Sequence, residues 1–318
     1  MSTCEPYTKF KNINNISEDL LLNILESNLK MFFDWAFLNI GAWFNINIPQ
    51  SGIYGTNSHS TLLLTDDPSY TQGQVWQGIR KEWVWETGVV FNSGSPIDIS
   101  GVYINNTFNS ILNNDFIIDY PLGRIIFDSP ISKTSVVETN YSYRYVQTYR
   151  ANESPWFSIL QYSSYKTDNN DIKRLSDGDW SIGGNHRVQM PAIIIESAPR
   201  SRSRPYELGS DNLIIEQDIN CYILAENKND RNKLLDILRY QQDLTIWLYD
   251  TNKLAQDDNF PLDYNGNRKT NPLMYPNIIE QYKWRKCWIK AVNIYELESP
   301  SPELHQGMVR FTTEIISH

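Results

Sequence analysis

Arg200, Arg202 and Arg204 alternate with serines between Pro199 and Pro205. On an extended backbone that alternation sends all three guanidinium groups to one side, where they could meet phosphates or the carboxylates of another subunit. A solvated loop is the plainer reading of the same residues. In a chain with 28 Lys plus Arg against 37 Asp plus Glu, net charge −9, the subunit reading is attractive because Arg is well suited to bidentate interfacial pairs. The acidic balance argues against a protein coated in nucleic acid.

The other chemistry-bearing residues are dispersed. His59, His186, His305 and His318 show neither HxxxH nor HExxH spacing, and Cys4, Cys221 and Cys287 form no CxxC knuckle or disulfide framework. Asp177-Gly178-Asp179 suits a cation or a turn, and the absence of further regularly spaced acids favours the turn. No GxSxG elbow, phosphate loop or dinucleotide fingerprint is present, and Gly183-Gly184 does not stand for one. The carboxylate pairs Asp66-Asp67 and Asp257-Asp258 are sequence neighbours, which says nothing of the spacing across a sugar that a glycosidase needs. We expect no catalytic residues, no cofactor and no metal.

A second cluster is aromatic. Tyr141, Tyr143 and Tyr145 fall on one face of a strand at period two, with Trp83 and Trp85 on another β-type run. Such a ladder could stack on glycans, or cover a sheet or a subunit interface. We take these five residues as the candidate partner-docking group, and Arg200, Arg202 and Arg204 as the candidate subunit-interface or lumen group.

The elements that must position these residues follow from periodicity. With 318 residues, 41% hydrophobic and 13% aromatic, the chain is long enough for two or three domains with real cores. Ser17 followed by Glu18 and Asp19 predicts a helix start, with Ile16 and Leu21 placed for a staple. Leu21, Leu25, Leu29, Phe32, Phe33 and Phe37 continue at helical spacing, and Gly41 offers a stop. Its aromatic end, from Phe33 through Trp35, Phe37, Trp43 and Phe44, could dock a partner or pack on its own domain. Polar residues including Lys30, Asp34 and Asn39 interrupt its apolar run, which falls short of the roughly 20 apolar residues of a spanning helix. No secretory signal pattern is visible at the amino terminus. A soluble protein of a reducing compartment is expected, with its Asn-x-Ser/Thr triplets unglycosylated.

From Ile53 to Tyr149 short β-type runs take over: Thr61–Thr65, Glu82–Glu86, Gly101–Ile104, Asp115–Tyr120, Arg124–Phe127 and Val136–Thr148. Residues 150–190 read as a linker. Beyond it, strands are expected at Ala192–Glu196, Leu213–Ala225, Leu244–Tyr249, Lys286–Glu296 and Met308–Ile316, with a helix at Asp230–Gln241 capped by Asp230 or Asn229 and a long loop at Asp250–Pro276. The fold class is therefore α+β: an N-terminal helix plus an antiparallel β domain, then a C-terminal α+β domain with a helix on a mainly antiparallel sheet. The divisions are 1–50, an amphipathic helical segment; 51–150, a β-rich domain; 151–189, a linker; and 190–318, the C-terminal domain.

The strand ending Ile219-Asn220-Cys221-Tyr222-Ile223-Leu224-Ala225, the helix Asn229 to Leu238 and the run Leu244-Thr245-Ile246-Trp247-Leu248-Tyr249 resemble the tail-terminator and tail-completion proteins of long-tailed bacteriophages. Asp115 to Asp128, with its Gly123-Arg124 turn, leading to Tyr141-Ser142-Tyr143-Arg144-Tyr145, resembles modules of phage tail and neck proteins. The first resemblance covers residues 190–318, as a pattern of elements. Compact terminators lack what occupies residues 1–150 here, so an enlarged terminator, a neck ring (head-tail connector) and a baseplate or tail-connector part all fit.

The resemblance implies a non-enzymatic virion structural protein of the neck or tail, made in the host cytoplasm. It would form a homo-oligomeric ring, a hexamer if a tail terminator, docked to neighbouring tail tube, sheath or neck proteins. Genomic DNA would pass through the lumen without specific binding, and no membrane is involved. The alternatives are a β-rich glycan-binding, adhesin-like or baseplate module using the stacked Tyr and Trp residues, and a hydrolase whose carboxylates meet only in three dimensions.

Overall fold

A computed structural model describes residues 10, 13, 15–48, 59–162, 172–175, 178–183, 186–207 and 213–317. The first half runs α1 (Leu21–Asn39), β1 (Trp43–Ile46), β2 (Thr61–Leu64), β3 (Val75–Gln77), β4 (Gly101–Ile104), β5 (Thr107–Ser110), β6 (Phe116–Asp119), β7 (Arg124–Phe127), β8 (Val137–Glu138) and β9 (Tyr141–Arg144). The second runs β10 (Gln147–Arg150), α2 (Pro155–Tyr162), β11 (Ile172–Arg174), β12 (Trp180–Ile182), β13 (His186–Val188), β14 (Ala192–Pro205), β15 (Leu213–Ala225), α3 (Lys228–Arg239), β16 (Thr245–Tyr249), α4 (Thr251–Gln256), α5 (Asn277–Tyr282), β17 (Lys283–Glu296) and β18 (His305–Ser317).

The fold is α+β, with an N-terminal helix, predominantly antiparallel sheets and a later helix packed on a sheet. Its frame is a six-stranded sheet of order β10-β14-β15-β18-β17-β16, in which only the β10–β14 pair is parallel. Period-two alternation divides its apolar residues between two cores. Ile193, Ile195, Ile219, Cys221 and Ile223 face α1 and α3, which contribute Leu25, Leu29, Phe33 and Phe37, and Leu234, Leu235 and Leu238. Ala192, Ile194 and Leu224 face the other way, under Trp156, Phe157 and Leu160 of α2 and Trp180, Ile182 and Val188 of the small sheet β11-β12-β13. A separate seven-stranded sheet, β5-β4-β8-β2-β3-β7-β6, encloses a third core around Trp76, Trp83, Val102, Ile118, Ile125 and Tyr141.

The packing units do not follow the divisions expected from sequence. Helix α1, read as part of a separate segment, shares a core with residues 193–315, into which its i, i+4 apolar stripe packs. The stretch read as a linker contributes α2 and β11–β13 to the same sheet's opposite core. Polar positions of α1 also meet distant chain: Asn28 Nδ2 donates to the Tyr249 carbonyl at 3.1 Å and its Oδ1 accepts from Tyr249 N at 2.7 Å.

Local signals explain some element ends. Gly41, at φ +80°, stops α1 as expected, and a Cβ there would lie 2.4 Å from the Phe91 ring. Ser17 does not cap α1, which begins at Leu21; Asp19 is instead held by Thr251 Oγ1 at 3.1 Å and Asn252 Oδ1 at 2.7 Å. Helix α3 begins at Lys228, earlier than expected, because Asn227 Oδ1 accepts from Asp230 N at 2.8 Å. Glu82–Glu86 is not a strand, and only Trp83 makes a bridge, to Tyr143. Val136–Thr148 is three strands, with β9 paired to β1 and β10 to β14.

Phe33 is 2% exposed, and its ring meets Phe311 edge-on at 6.3 Å. Phe33→Ala is expected to cost about 3–5 kcal/mol in urea unfolding, because the rigid sheet cannot close around the vacated ring.

Candidate functional site

The three arginines lie in a strand. After an irregularity between Ser197 and Ser201, β14 continues to Pro205, with Arg202 opposite Glu216 and Arg204 opposite Ile214. The plain loop reading is thereby corrected: β15 extends far enough to pair this stretch, so the Ser/Arg alternation becomes a two-faced strand. β10 pairs β14 only through Ile195, so Arg200–Pro205 forms the outer edge of the sheet.

All three guanidinium groups share the face of Glu216 and Glu314, the face opposite α1 and α3. Arg200 reaches Asp218 at 3.7 Å and Arg204 reaches Glu314 at 3.8 Å, yet their side chains remain 58% and 69% exposed. Pairs so open to water contribute roughly 0–1 kcal/mol and leave the cations available to another partner. Lys290 donates to Glu216 at 3.0 Å, holding the Glu216 carboxyl below and its own ammonium above their ordinary ranges. This end of the sheet face therefore carries four cations, Arg200, Arg202 and Arg204 on β14 and Lys290 on β17, around three carboxylates.

The aromatic group is dispersed by burial. Tyr141 and Trp83 stack at 4.5 Å inside the seven-stranded core, 0% and 1% exposed, and the Tyr141 hydroxyl donates to the His59 carbonyl at 2.9 Å. Neither can dock a partner, a correction that follows from β9 turning this face toward the core. Tyr143 is half-buried between the Phe44 ring at 5.4 Å and the Arg80 guanidinium at 5.6 Å. Tyr145 packs at the rim of the helix-covered core, where burial and neighbouring Asp230 push its hydroxyl pKa up to about 12. Trp85 is half-buried, and its carbonyl accepts from Arg268 Nη1 at 3.3 Å.

A buried polar cluster was not visible as a motif. At the junction of α1, the 82–86 segment, β9 and β10, buried Arg144 donates from Nη2 to both Glu86 oxygens, at 2.5 and 2.6 Å. Arg144 Nη1 is buried there, with no hydrogen-bond partner among the described residues. Asp34 accepts from Lys30 at 2.8 Å and from the Thr148 hydroxyl. Burial works against the Lys30 charge, but Asp34 and Glu82 hold its ammonium above the ordinary range.

Glu82 completes the cluster from a left-handed backbone at φ +51°, held by Glu82 N to the Pro121 carbonyl and Arg144 N to the Glu82 carbonyl, each at 3.1 Å. Burial pushes its carboxyl up to about 7, against the pull of Lys30 and Arg144. Positive φ and a displaced carboxyl together are marks that sequence periodicity does not carry.

Asp179 is a buried bridge: its Oδ1 accepts from Arg80 at 2.9 Å and its Oδ2 from Arg187. That use accounts for Asp179 in the Asp-Gly-Asp turn, while Asp177 lies outside the described residues. Among the described residues, no three of His, Cys, Asp and Glu converge as a metal-ligand set. A groove of about 820 Å³ lies between β6 and the 267–272 loop, with Asn114, Tyr120, Asn267 and Arg268 among its walls. Arg268 is committed there to Asp98 at 2.7 Å. Among the described residues no helix is long and apolar enough to cross a membrane.

No protein-family model matches this chain, and no curated protein matches it.

Two outcomes follow from the junction. Glu82 has a carboxyl raised from 4.5 to about 7, so it favours folding below about 4.5 and loses that contribution as pH rises through 7. Glu82→Gln should therefore gain about 1–3 kcal/mol on wild type between pH 5 and pH 8, read as the variant-minus-wild-type difference in urea unfolding. That subtraction removes His59, whose depressed pKa acts in the opposite direction. Arg144→Met should cost about 3–5 kcal/mol at pH 7, because it strands the buried Glu86 carboxylate.

Proposed function

We propose that this chain is a non-enzymatic structural component of a phage neck or tail, acting as a homo-oligomeric ring that joins neighbouring tail or head-tail parts. The observation that carries the reading is the outer edge of β14, unpaired among the described residues, where Arg200, Arg202 and Arg204 stand exposed on one face beyond the end of β10. An edge strand of this kind is a template for association, and its charges and flanking prolines restrain it from indiscriminate pairing. The sequence resemblance of residues 190–318 to tail terminators supports the same reading, with a virion location and tail tube, sheath or neck proteins as neighbours. The arginines then lie at a subunit contact or line the lumen through which DNA passes. Burial of Tyr141 and Trp83 takes away the centre of the aromatic platform on which glycan binding was drawn.

Light scattering across a concentration series, followed by negative-stain imaging, tests this directly. Closed rings of uniform symmetry are expected, sixfold for a tail terminator. A chain that stays monomeric at high concentration and has no affinity for virion fractions would overturn the proposal.

A further inference from the structure

The two ends of the large sheet carry opposite charge. At one end stand Arg200, Arg202, Arg204 and Lys290 around Asp218, Glu216 and Glu314. At the other, the end of β17 and its connection to β18 carry the exposed acids Glu296, Glu298 and Glu303. Glu296 is 80% exposed although Arg231 lies 3.4 Å away.

The register measures their separation. Glu296 is paired with Gly307 of β18, whereas Arg202 is aligned through Glu216 with Glu314. Those rows are seven residues apart, roughly 24 Å along the strands, with the sheet between them. The basic edge of a copy therefore cannot reach the acidic connection of the same copy.

We infer that these two ends are the two halves of one heterologous contact: the Arg200–Arg204 edge of one copy meets the Glu296–Glu303 connection of the next. This rests on the ring-forming reading and supplies its missing counterpart. A patch that is complementary to a different patch on the same chain makes head-to-tail contacts, which close into a ring when the rotation per copy permits. A symmetric two-fold pairing of the arginine edges would set like charges against each other and is disfavoured. Charge complementarity selects a second copy as the occupant, since the acidic surface required is already present at the other end of the sheet.

The test is a charge swap in the full chain. Arg202→Glu with Arg204→Glu makes both ends acidic, and Glu298→Lys with Glu303→Lys makes both basic. Because Glu216 and Glu314 would face the introduced acids, the neutral triple variant Arg200→Gln, Arg202→Gln, Arg204→Gln is measured beside them, with circular dichroism to show native folding. By light scattering, each variant alone should associate at least tenfold more weakly than wild type, and an equimolar mixture of the two charge-swapped proteins should recover association.

Natively folded variants that assemble like wild type would overturn this contact while leaving the ring reading standing. Loss in both variants without recovery on mixing would also overturn it, since the two ends would then meet other surfaces. A wild-type protein that remains monomeric would overturn the ring reading and this contact with it.

Discussion

Buried charge at the junction of two cores is the constraint on which the rest of the structure depends. Arg144 and Glu86 lie almost wholly out of water, and a buried charge is tolerated only when its partner is held in place. That partner sits on the segment leading from β3 toward β4, while Thr148 on the other side binds Asp34 of α1. Displacing α1, the 82–86 segment or β9 would expose one of these charges to a partnerless interior. The network thus makes the orientation of the helix-covered sheet and the seven-stranded unit a single problem. Asp179, held by Arg80 and Arg187, and Gln189, which exchanges hydrogen bonds with the Lys81 backbone at 2.8 and 3.2 Å, repeat the device nearby.

Fixing that junction frees the large sheet to serve two purposes along its length. Near Ile193 and Ile223 both faces are covered, by α1 and α3 on one side and by α2 and the small sheet on the other. Toward Arg204 and Ile214 the covering on the second face ends among the described residues, and exposed charge replaces apolar side chains. The strands continue because their backbone hydrogen bonds need no apolar cover, only neighbours on each side. What emerges is an extended arm whose edge position follows from the shortness of β10.

The aromatic residues show how composition can mislead about surface. Tyr141, Tyr143 and Tyr145 with Trp83 and Trp85 suggested a stacking platform, yet Tyr141 and Trp83 lie in the interior. Trp83 and Tyr141 fill the seven-stranded core, and Trp156 and Trp180 fill the space beneath α2. Each brings a polar atom that must be satisfied: Trp83 Nε1 donates to the Arg80 carbonyl at 2.8 Å and Trp180 Nε1 to Glu226 at 2.9 Å.

Sequence by itself determined what local periodicity encodes. The stripe of α1, its stop at Gly41, the hairpin of β6 and β7 and the strand Leu213–Ala225 were all legible, because the spacing of apolar residues and the turn residues act within a few positions. Tertiary structure alone decided which segments share a core, since a helical stripe specifies that a face is buried and not which sheet buries it. It also decided that Arg200–Pro205 is a strand: an alternating polar run has no hydrophobic face to announce it and becomes a strand only beside β15. The junction cluster lay furthest from view, for Lys30, Asp34, Glu82, Glu86, Arg144 and Thr148 are scattered along the chain. Their electrostatics come into being only when folding removes the water between them.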